Sequence, residues 1–304
     1  MVLLALLKYP AAVVVGIVTQ PDKPRGRNLH LTPSPVKEEA LAHQLPVLQP
    51  LKARAPEFLA ELAAFNPDLI VVAAYGQILP KSVLDLPKFG CLNVHASLLP
   101  RHRGASPIQS SILAGDAETG VTMMLMDVGC DTGPMLTKVA TPISSEDTAQ
   151  TLHDRMAQLG GQLLLDTLPG WIEGSLKAEP QPAQGATHAV KLSKGDGDLD
   201  WRKSAEELDR RIRAFTPWPG AYSFLPGKDH PVLFKIHRAR PLKVESGEPG
   251  LIVASKEGIR VNCGTGVLEL LEVQREGGRR MTAIQFIAGH PELAGQHLQS
   301  KPAT

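Results

Sequence analysis

At 304 residues with 43% hydrophobic and 21% charged residues, the chain exceeds one ordinary domain and can bury sizeable cores, so two domains are expected. Its three cysteines, Cys91, Cys130 and Cys263, form no C-x-x-C or Cys/His cluster, which argues against a disulfide framework or a zinc site and fits a reducing cytoplasm. The net charge of +1 is uneven, −3 over residues 1–190 and +4 over 191–304; the basic end suits a polyanionic partner and equally a solvated surface.

Residues 1–18 are apolar enough to raise the question of a signal peptide or a membrane span, but Lys8 and Pro10 interrupt them and no basic segment precedes. A buried helix followed by a buried strand is expected instead. The runs 12–19 (AVVVGIVT) and 69–74 (LIVVAA) predict strands covered on both faces, with helices over 36–43 and 57–65 between them. This α/β alternation predicts a parallel sheet. Cys91–His95 reads as a further strand, followed by a helix from Pro107 with Ser106 as N-cap. Strands over 121–126 and 135–142 and a long amphipathic helix over 147–172 complete a first domain, 1–174. Residues 175–190, rich in Pro, Gln, Ala and Gly, suit neither periodicity and read as a linker. Beyond it, 191–304 predicts a helix over 204–215 and short strands near 221–225, 232–239, 250–254, 258–262 and 267–273, the pattern of a small β-barrel.

The polar residues worth singling out are Asn93, His95 and Asp131. On a strand Asn93 and His95 point to the same side, at the C-terminal end where open α/β sheets bind ligands. Asp131 lies in a turn-rich loop, Asp127-Val-Gly-Cys-Asp-Thr-Gly-Pro, from which a carboxylate can reach an imidazole. Acyl transfer to an amine needs a donor for the developing oxyanion and a route for the amine proton; Asn93 and protonated His95 can supply the first, His95 and Asp131 the second. Singly, each residue has a plainer reading as surface or turn polarity. The loop lacks the spaced ligands of a calcium site, and Ser97, Ser106, Ser110 and Ser111 lack a G-x-S-x-G elbow and read as loop and capping residues.

Taken together, the stretches 92–109 (LNVHASLLPRHRGASPIQ), 115–122 (GDAETGVT) and 126–133 (MDVGCDTG) resemble the signature of the folate-dependent formyltransferases. The resemblance implies a Rossmann-like, doubly wound, mostly parallel sheet followed by an OB-like barrel, with 10-formyltetrahydrofolate as donor and no metal. It places Ser97, Leu98, Leu99 and Pro100 in the folate site. Tyr75, Ile78 and Leu79, with Asp127 and Val128, are expected to flank the pterin, although Tyr75 equally fits an ordinary packed aromatic. The loop 20–37, rich in Pro and basic residues, reads by itself as solvated surface; it resembles the loop of those members that formylate initiator methionyl-tRNA. There Lys23, Arg25, Arg27 and Lys37 would meet phosphates or bases, Arg27 at the key basic position. The stretches 192–201 and 211–222 resemble the barrel that lies along the tRNA, and Trp218 is expected to be structural. A cytoplasmic monomer with no membrane contact is implied.

Members of the family begin with a strand and a Gly-Thr-Pro loop, whereas this chain starts inside the following helix, so the first strand is expected to be missing. His102, where relatives carry a larger aromatic, and Cys130 are smaller departures. A formyltransferase of sugar nucleotides or purine precursors, and a non-catalytic RNA-binding protein, are the alternatives.

Overall fold

The computed structural model describes residues 1–25, 30–227 and 230–300. The chain divides into two compact units, one of residues 1–107, 119–141 and 154–189, the other of 108–118, 142–153 and 190–304.

In chain order the elements up to residue 173 are α1 (Val2–Leu7), β1 (Ile17–Val18), β2 (Lys23–Arg25), β3 (His30–Thr32), α2 (Pro35–Ala42), β4 (Val47–Leu48), α3 (Pro56–Ala64) and β5 (Ile70–Val72). They continue with α4 (Lys81–Leu84), β6 (Cys91–His95), β7 (Arg103–Gly104), α5 (Pro107–Ala114), β8 (Glu118–Leu125), β9 (Met135–Pro142) and α6 (Ala149–Glu173). Strands β5-β6-β8-β9 form one sheet, parallel at β5–β6 and antiparallel at β6–β8, with His95 opposite Thr122 and Asn93 opposite Met124. Strands β1 and β4 pair parallel in a separate two-stranded sheet. The α/β alternation is therefore as read, but the sheet is mixed, because β8 runs antiparallel to β6.

β6 is the best covered strand, with Cys91 and Leu92 at 1% and 0% exposure. Each such apolar side chain contributes about 1.5–3 kcal/mol on burial. Gly160 on α6 lets the helix approach closely: a Cβ there would lie 2.7 Å from Val94 Cγ1, and Val94 alternates with Asn93 and His95. The helix thus covers one side of β6 while the polar pair occupies the other.

The N-terminal expectation needs correcting. The predicted strand 12–19 is ordered as a strand only at Ile17–Val18, and Val13 is 87% exposed. α1 buries Leu3 alone among its residues. β1 pairs only with β4, so nothing hydrogen-bonds the preceding residues into a ladder that would fix them as strand. Residues 23–32 also differ from a plain loop: β2 and β3 form an antiparallel hairpin with Lys23 opposite Thr32. α2 follows it, started by Ser34, whose hydroxyl accepts from Lys37 N, and by Pro35 in the first turn.

The stretch expected as linker carries β10 (His188–Ala189), which pairs parallel with β7. The second unit holds α7 (Ala205–Ala214), β11 (Ala221–Leu225), β12 (Val232–Leu242), β13 (Ile252–Ser255), β14 (Gly258–Asn262), β15 (Val267–Arg275), β16 (Met281–Thr282) and α8 (Ala283–Gly289). Its sheet runs β11-β12-β15-β14-β13, antiparallel throughout. α7 starts in a capping box of Ser204 and Glu207 and buries Leu208 and Ile212 against Phe234, Ile236 and Leu268. The two sheet edges are joined through residues 296–299: Ile252 N donates to Gln296 O and Leu298 N to Gly250 O, while Phe224 and Gln299 exchange two backbone bonds. That closure makes the expected barrel. Trp218, expected to be structural packing, is instead 50% exposed, whereas Phe215, three residues before it, is buried.

Candidate active site

Asn93 and His95 stand two residues apart on β6 and are 8% and 5% exposed. Asp131 comes from the β8–β9 hairpin loop, which folds back toward that strand. Its Oδ1 accepts from Asn93 Nδ2 at 3.2 Å and lies 3.6 Å from His95 Nδ1; its Oδ2 accepts from Gly104 N at 2.9 Å. The three residues singled out from the sequence thus meet in space. Asp131 has φ of +54°, and His102, whose carbonyl faces the other side of the imidazole, has φ of +59°. Asp and His are among the few non-glycine residues that tolerate this region, and such backbone conformations persist where surrounding bonds fix them.

The hydrogen bonds limit where protons can be. His95 Nε2 lies 3.0 Å from His102 O, and a carbonyl can only accept, so Nε2 carries a proton. Nδ1 faces a carboxylate oxygen, also an acceptor when ionised. The pair is therefore complete only with a second proton between Nδ1 and Oδ1, which makes an imidazolium–carboxylate pair or its neutral equivalent. At 3.6 Å this is an ion-pair contact rather than a hydrogen bond. Burial holds the imidazole below its ordinary value, opposed by the Asp131 carboxylate and the His102 carbonyl.

Gly104 is the residue that sequence reasoning passed over. Its φ of +117° aims N–H at Asp131, and a Cβ there would come 2.5 Å from Ala189 O, so glycine is required both for conformation and for close approach. Its signal was present in Arg-His-Arg-Gly but gave no hint of a partner 27 residues away. Cys130, exposed, places Sγ 3.8 Å from Asp131 Oδ2, and partial burial, followed by the neighbouring Asp131 charge, raises its thiol pKa.

The residues expected around the folate divide into two groups. Ser97 is fully buried and its hydroxyl donates to Arg101 O at 2.6 Å, while Thr122 Oγ1 donates to Ser97 O and accepts from Leu99 N, and Lys138 Nζ donates to Leu99 O. Leu99 packs with Met124 and Met135, Leu98 lies against Gly120, and Leu99-Pro100 is a cis peptide. This segment is a rigid wall. Ile78 and Val128, by contrast, are 84% and 69% exposed, and Leu79 is buried beneath Ile78's loop. Asp127 closes its own turn, accepting from Gly129 N and Thr132 Oγ1. Tyr75 packs on the core of Phe58, Leu62 and Val83, and its buried hydroxyl has no hydrogen-bond partner. Among the described residues no cluster of His, Cys, Asp and Glu could hold a metal ion.

Of the basic residues on loop 20–37, Lys23 is exposed on β2, and Arg25 ends that strand. Arg27 lies outside the described residues. Lys37 is committed within the chain: its Nζ donates to Asp22 Oδ2 and to Gln49 Oε1, both at 2.7 Å. These bonds tie α2 to the base of the hairpin, and the donors Lys37 Nζ and Gln49 Nε2 hold the Asp22 carboxyl below the usual range.

The sequence matches the formyl transferase model over residues 3–168 and the formyl transferase C-terminal domain model over 191–291. It is 50% identical over 292 residues to methionyl-tRNA formyltransferase of Citrifermentans bemidjiense, covering 96% of this chain and 90% of that one. With the enzyme of the same name from Myxococcus xanthus it shares 52% over 283 residues, 93% and 89% of the two chains. The fold is similar to that of HypX from Aquifex aeolicus in complex with tetrahydrofolic acid (TM-score 0.60, 18% identity, 90% of this chain and 46% of that one). It is also similar to WlaRD, a sugar 3N-formyl transferase (TM-score 0.60, 16% identity, 85% and 98%). Both structural likenesses concern the fold alone, but the two sequence domains and half-identity over nearly the whole length concern descent: the chain belongs to the formyl transferase family.

Proposed function

We propose that this protein transfers the formyl group of 10-formyltetrahydrofolate to the α-amino group of methionine on initiator methionyl-tRNA, a step of translation initiation. The observation that carries the reading is the meeting of Asn93, His95 and Asp131 around one buried imidazole, in a chain that shares half its residues with methionyl-tRNA formyltransferases. The acceptor follows from those relatives and from the basic hairpin, and it favours tRNA over a sugar nucleotide.

The folate supplies the formyl carbon and its leaving nitrogen. The residues present fit such a group: exposed Ile78 and Val128 offer apolar surface to a flat ring, and the orphaned Tyr75 hydroxyl offers a polar partner. Ser97, Leu98, Leu99 and Pro100 shape the rigid wall, Leu79 supports Ile78, and the closed Asp127 turn presents Val128. At the reacting centre Asn93 spends one amide N–H on Asp131 and has a second to give to the formyl oxygen as it gains charge. His95, whose Nε2 carries a proton and whose Nδ1 faces Asp131, adds positive potential there when Nδ1 takes up the second proton. Asp131, held by Asn93 and Gly104, takes the proton that the amine loses, directly or through water.

On the tRNA side Lys23, Arg25 and Arg27 meet the acceptor arm, and Lys37 acts through the base of the hairpin rather than as a free charge. We divide the chain into a catalytic domain (1–174), a connecting segment (175–190) and a tRNA-binding barrel (191–304), acting as a cytoplasmic monomer. Among the described residues no helix is long and apolar enough to cross a membrane.

The test is transfer of labelled formyl from the folate to methionyl-tRNA by the purified chain, beside His95→Ala and Asp131→Asn. Each variant should lose about 10²–10⁴-fold in kcat with tRNA affinity retained. Full activity in both variants would remove the proposed centre. Tight tRNA binding with no transfer by the wild-type chain at saturating folate would instead favour a non-catalytic RNA-binding protein.

A further inference from the structure

Residues 179–189 bond the site from both sides. Glu179 and Met135 exchange two backbone hydrogen bonds at 2.8 Å, Arg103 N donates to Thr187 O, Ala105 N to Ala189 O, and His102 N to Thr187 Oγ1. Between these anchors sits Gln181. Its amide nitrogen donates both hydrogens, one to Asp131 O at 2.8 Å and one to Gly133 O at 2.7 Å, while its Oε1 accepts from Arg103 Nε at 2.9 Å. One planar amide thus spans the two carbonyls of the Asp131 turn and is itself held by the residue before Gly104.

We infer that Gln181 is a positioning residue for formyl transfer, clamping the backbone of the Asp131 loop so that the carboxylate stays between Asn93, His95 and Gly104. The inference rests on the catalytic reading of Asp131 given above. Its physical reason is that Asp131 occupies an unfavourable backbone region in a hairpin loop whose neighbours Val128, Gly129 and Cys130 are all exposed. Among the described residues no other hydrogen bond to the Asp131 and Gly133 carbonyls fixes the plane from which the side chain departs. Misplacing a reacting group by about 1 Å costs on the order of 10²-fold in rate, so the clamp matters to kcat far more than to folding. Gln181 is half-buried on a mostly exposed segment, so removing its two N–H groups leaves the core untouched.

Two substitutions test this. Gln181→Met keeps the volume and removes all three bonds; Gln181→Glu keeps an acceptor for Arg103 but offers no N–H to either carbonyl. Both should lower kcat about 10–100-fold, with KM for folate and tRNA little changed and the thermal midpoint retained. The titratable groups that act on His95 are Asp131 and His102, with Cys130 beside Asp131. Losing the carboxylate from its place removes the influence that raises the imidazole pKa, so the alkaline limb of the kcat profile, on which protonated His95 is lost, should move to lower pH in both variants. Wild-type kcat and pH profile in either variant, a change confined to KM, or recovery in Gln181→Glu overturns the clamp. Asp131→Asn, measured alongside, separates the two readings. If it lowers transfer while the Gln181 variants keep wild-type kcat, the clamp is wrong; if it leaves transfer intact, the catalytic assignment itself is wrong.

Discussion

His95 is where opposing forces on one proton decide both chemistry and stability. Burial disfavours the charged imidazole more than Asp131 and the His102 carbonyl favour it, so the folded pKa lies below the ordinary value of about 6.5. The unfolded chain then binds that proton more readily than the folded one, and stability rises with pH through the interval between the two values. His237, half-buried on β12, is displaced in the same direction, chiefly by desolvation. The contribution is complete above about pH 6.5 and is lost as the pH falls below it. Urea unfolding between about pH 5 and 7.5 should show stability declining on the acid side, less steeply in His95→Gln and more steeply in Asp131→Asn, where the folded imidazole loses its counter-charge. A steeper acid decline in His95→Gln than in the wild-type chain would reverse the sign argued here.

At the scale of elements, the hairpin β2–β3 and α2 form one device. Lys23 is exposed and free to release counterions from a phosphate, whereas the Lys37 ammonium is already spent on Asp22 and Gln49. The slope of log affinity for tRNA against log salt should therefore fall by about 1 in Lys23→Ala and stay unchanged in Lys37→Met. The latter should weaken tRNA binding at all salt concentrations by loosening the hairpin's base. An equal loss of slope in both variants would mean that Lys37 meets phosphate itself. The sequence could not separate the two lysines, because both read as basic residues of one Pro-rich loop and the partner of Lys37 lies 15 residues back. Elements with strong local patterns were legible: Cys91–His95, Ala221–Leu225 and Gly258–Asn262 have the predicted bounds. The trio Asn93, His95 and Asp131 was legible from chemistry and spacing. What escaped was whatever depends on long-range backbone bonding. Pairing of β10 with β7, and the grip of Gln181 on Asp131, arise in a stretch whose composition suggests only a linker. The apolar run 12–19 failed for the converse reason, since its hydrophobicity promised burial that a strand paired on a single edge does not deliver.

For the molecule as a whole, the barrel's integrity depends on its last residues. The six-stranded antiparallel sheet, in which β16 pairs with β15 off the main path, has two edges, β11 and β13, each with unpaired backbone groups that would otherwise recruit other chains. Residues 296–299 satisfy both edges at once and insert Leu298, 4% exposed, into the core of Leu199, Trp201 and Ile252. Ser223 Oγ and Ser300 Oγ add bonds to Gln299 O and Leu199 O. Ending the chain after Gly295 removes the buried leucine, worth about 2–5 kcal/mol by analogy with large-to-small core changes, and reopens both edges. Hydrogen exchange should then quicken at the amides of Phe224 and Ile252, whose acceptors Gln299 O and Gln296 O are lost, before it quickens on the central strand β15. The truncated protein should also associate at concentrations where the full chain does not, because the exposed edges are templates for intermolecular pairing. Unchanged protection at those two amides would show that the sheet closes on itself without this segment, and Leu298→Ala would then be expected to cost no more than an exposed leucine does.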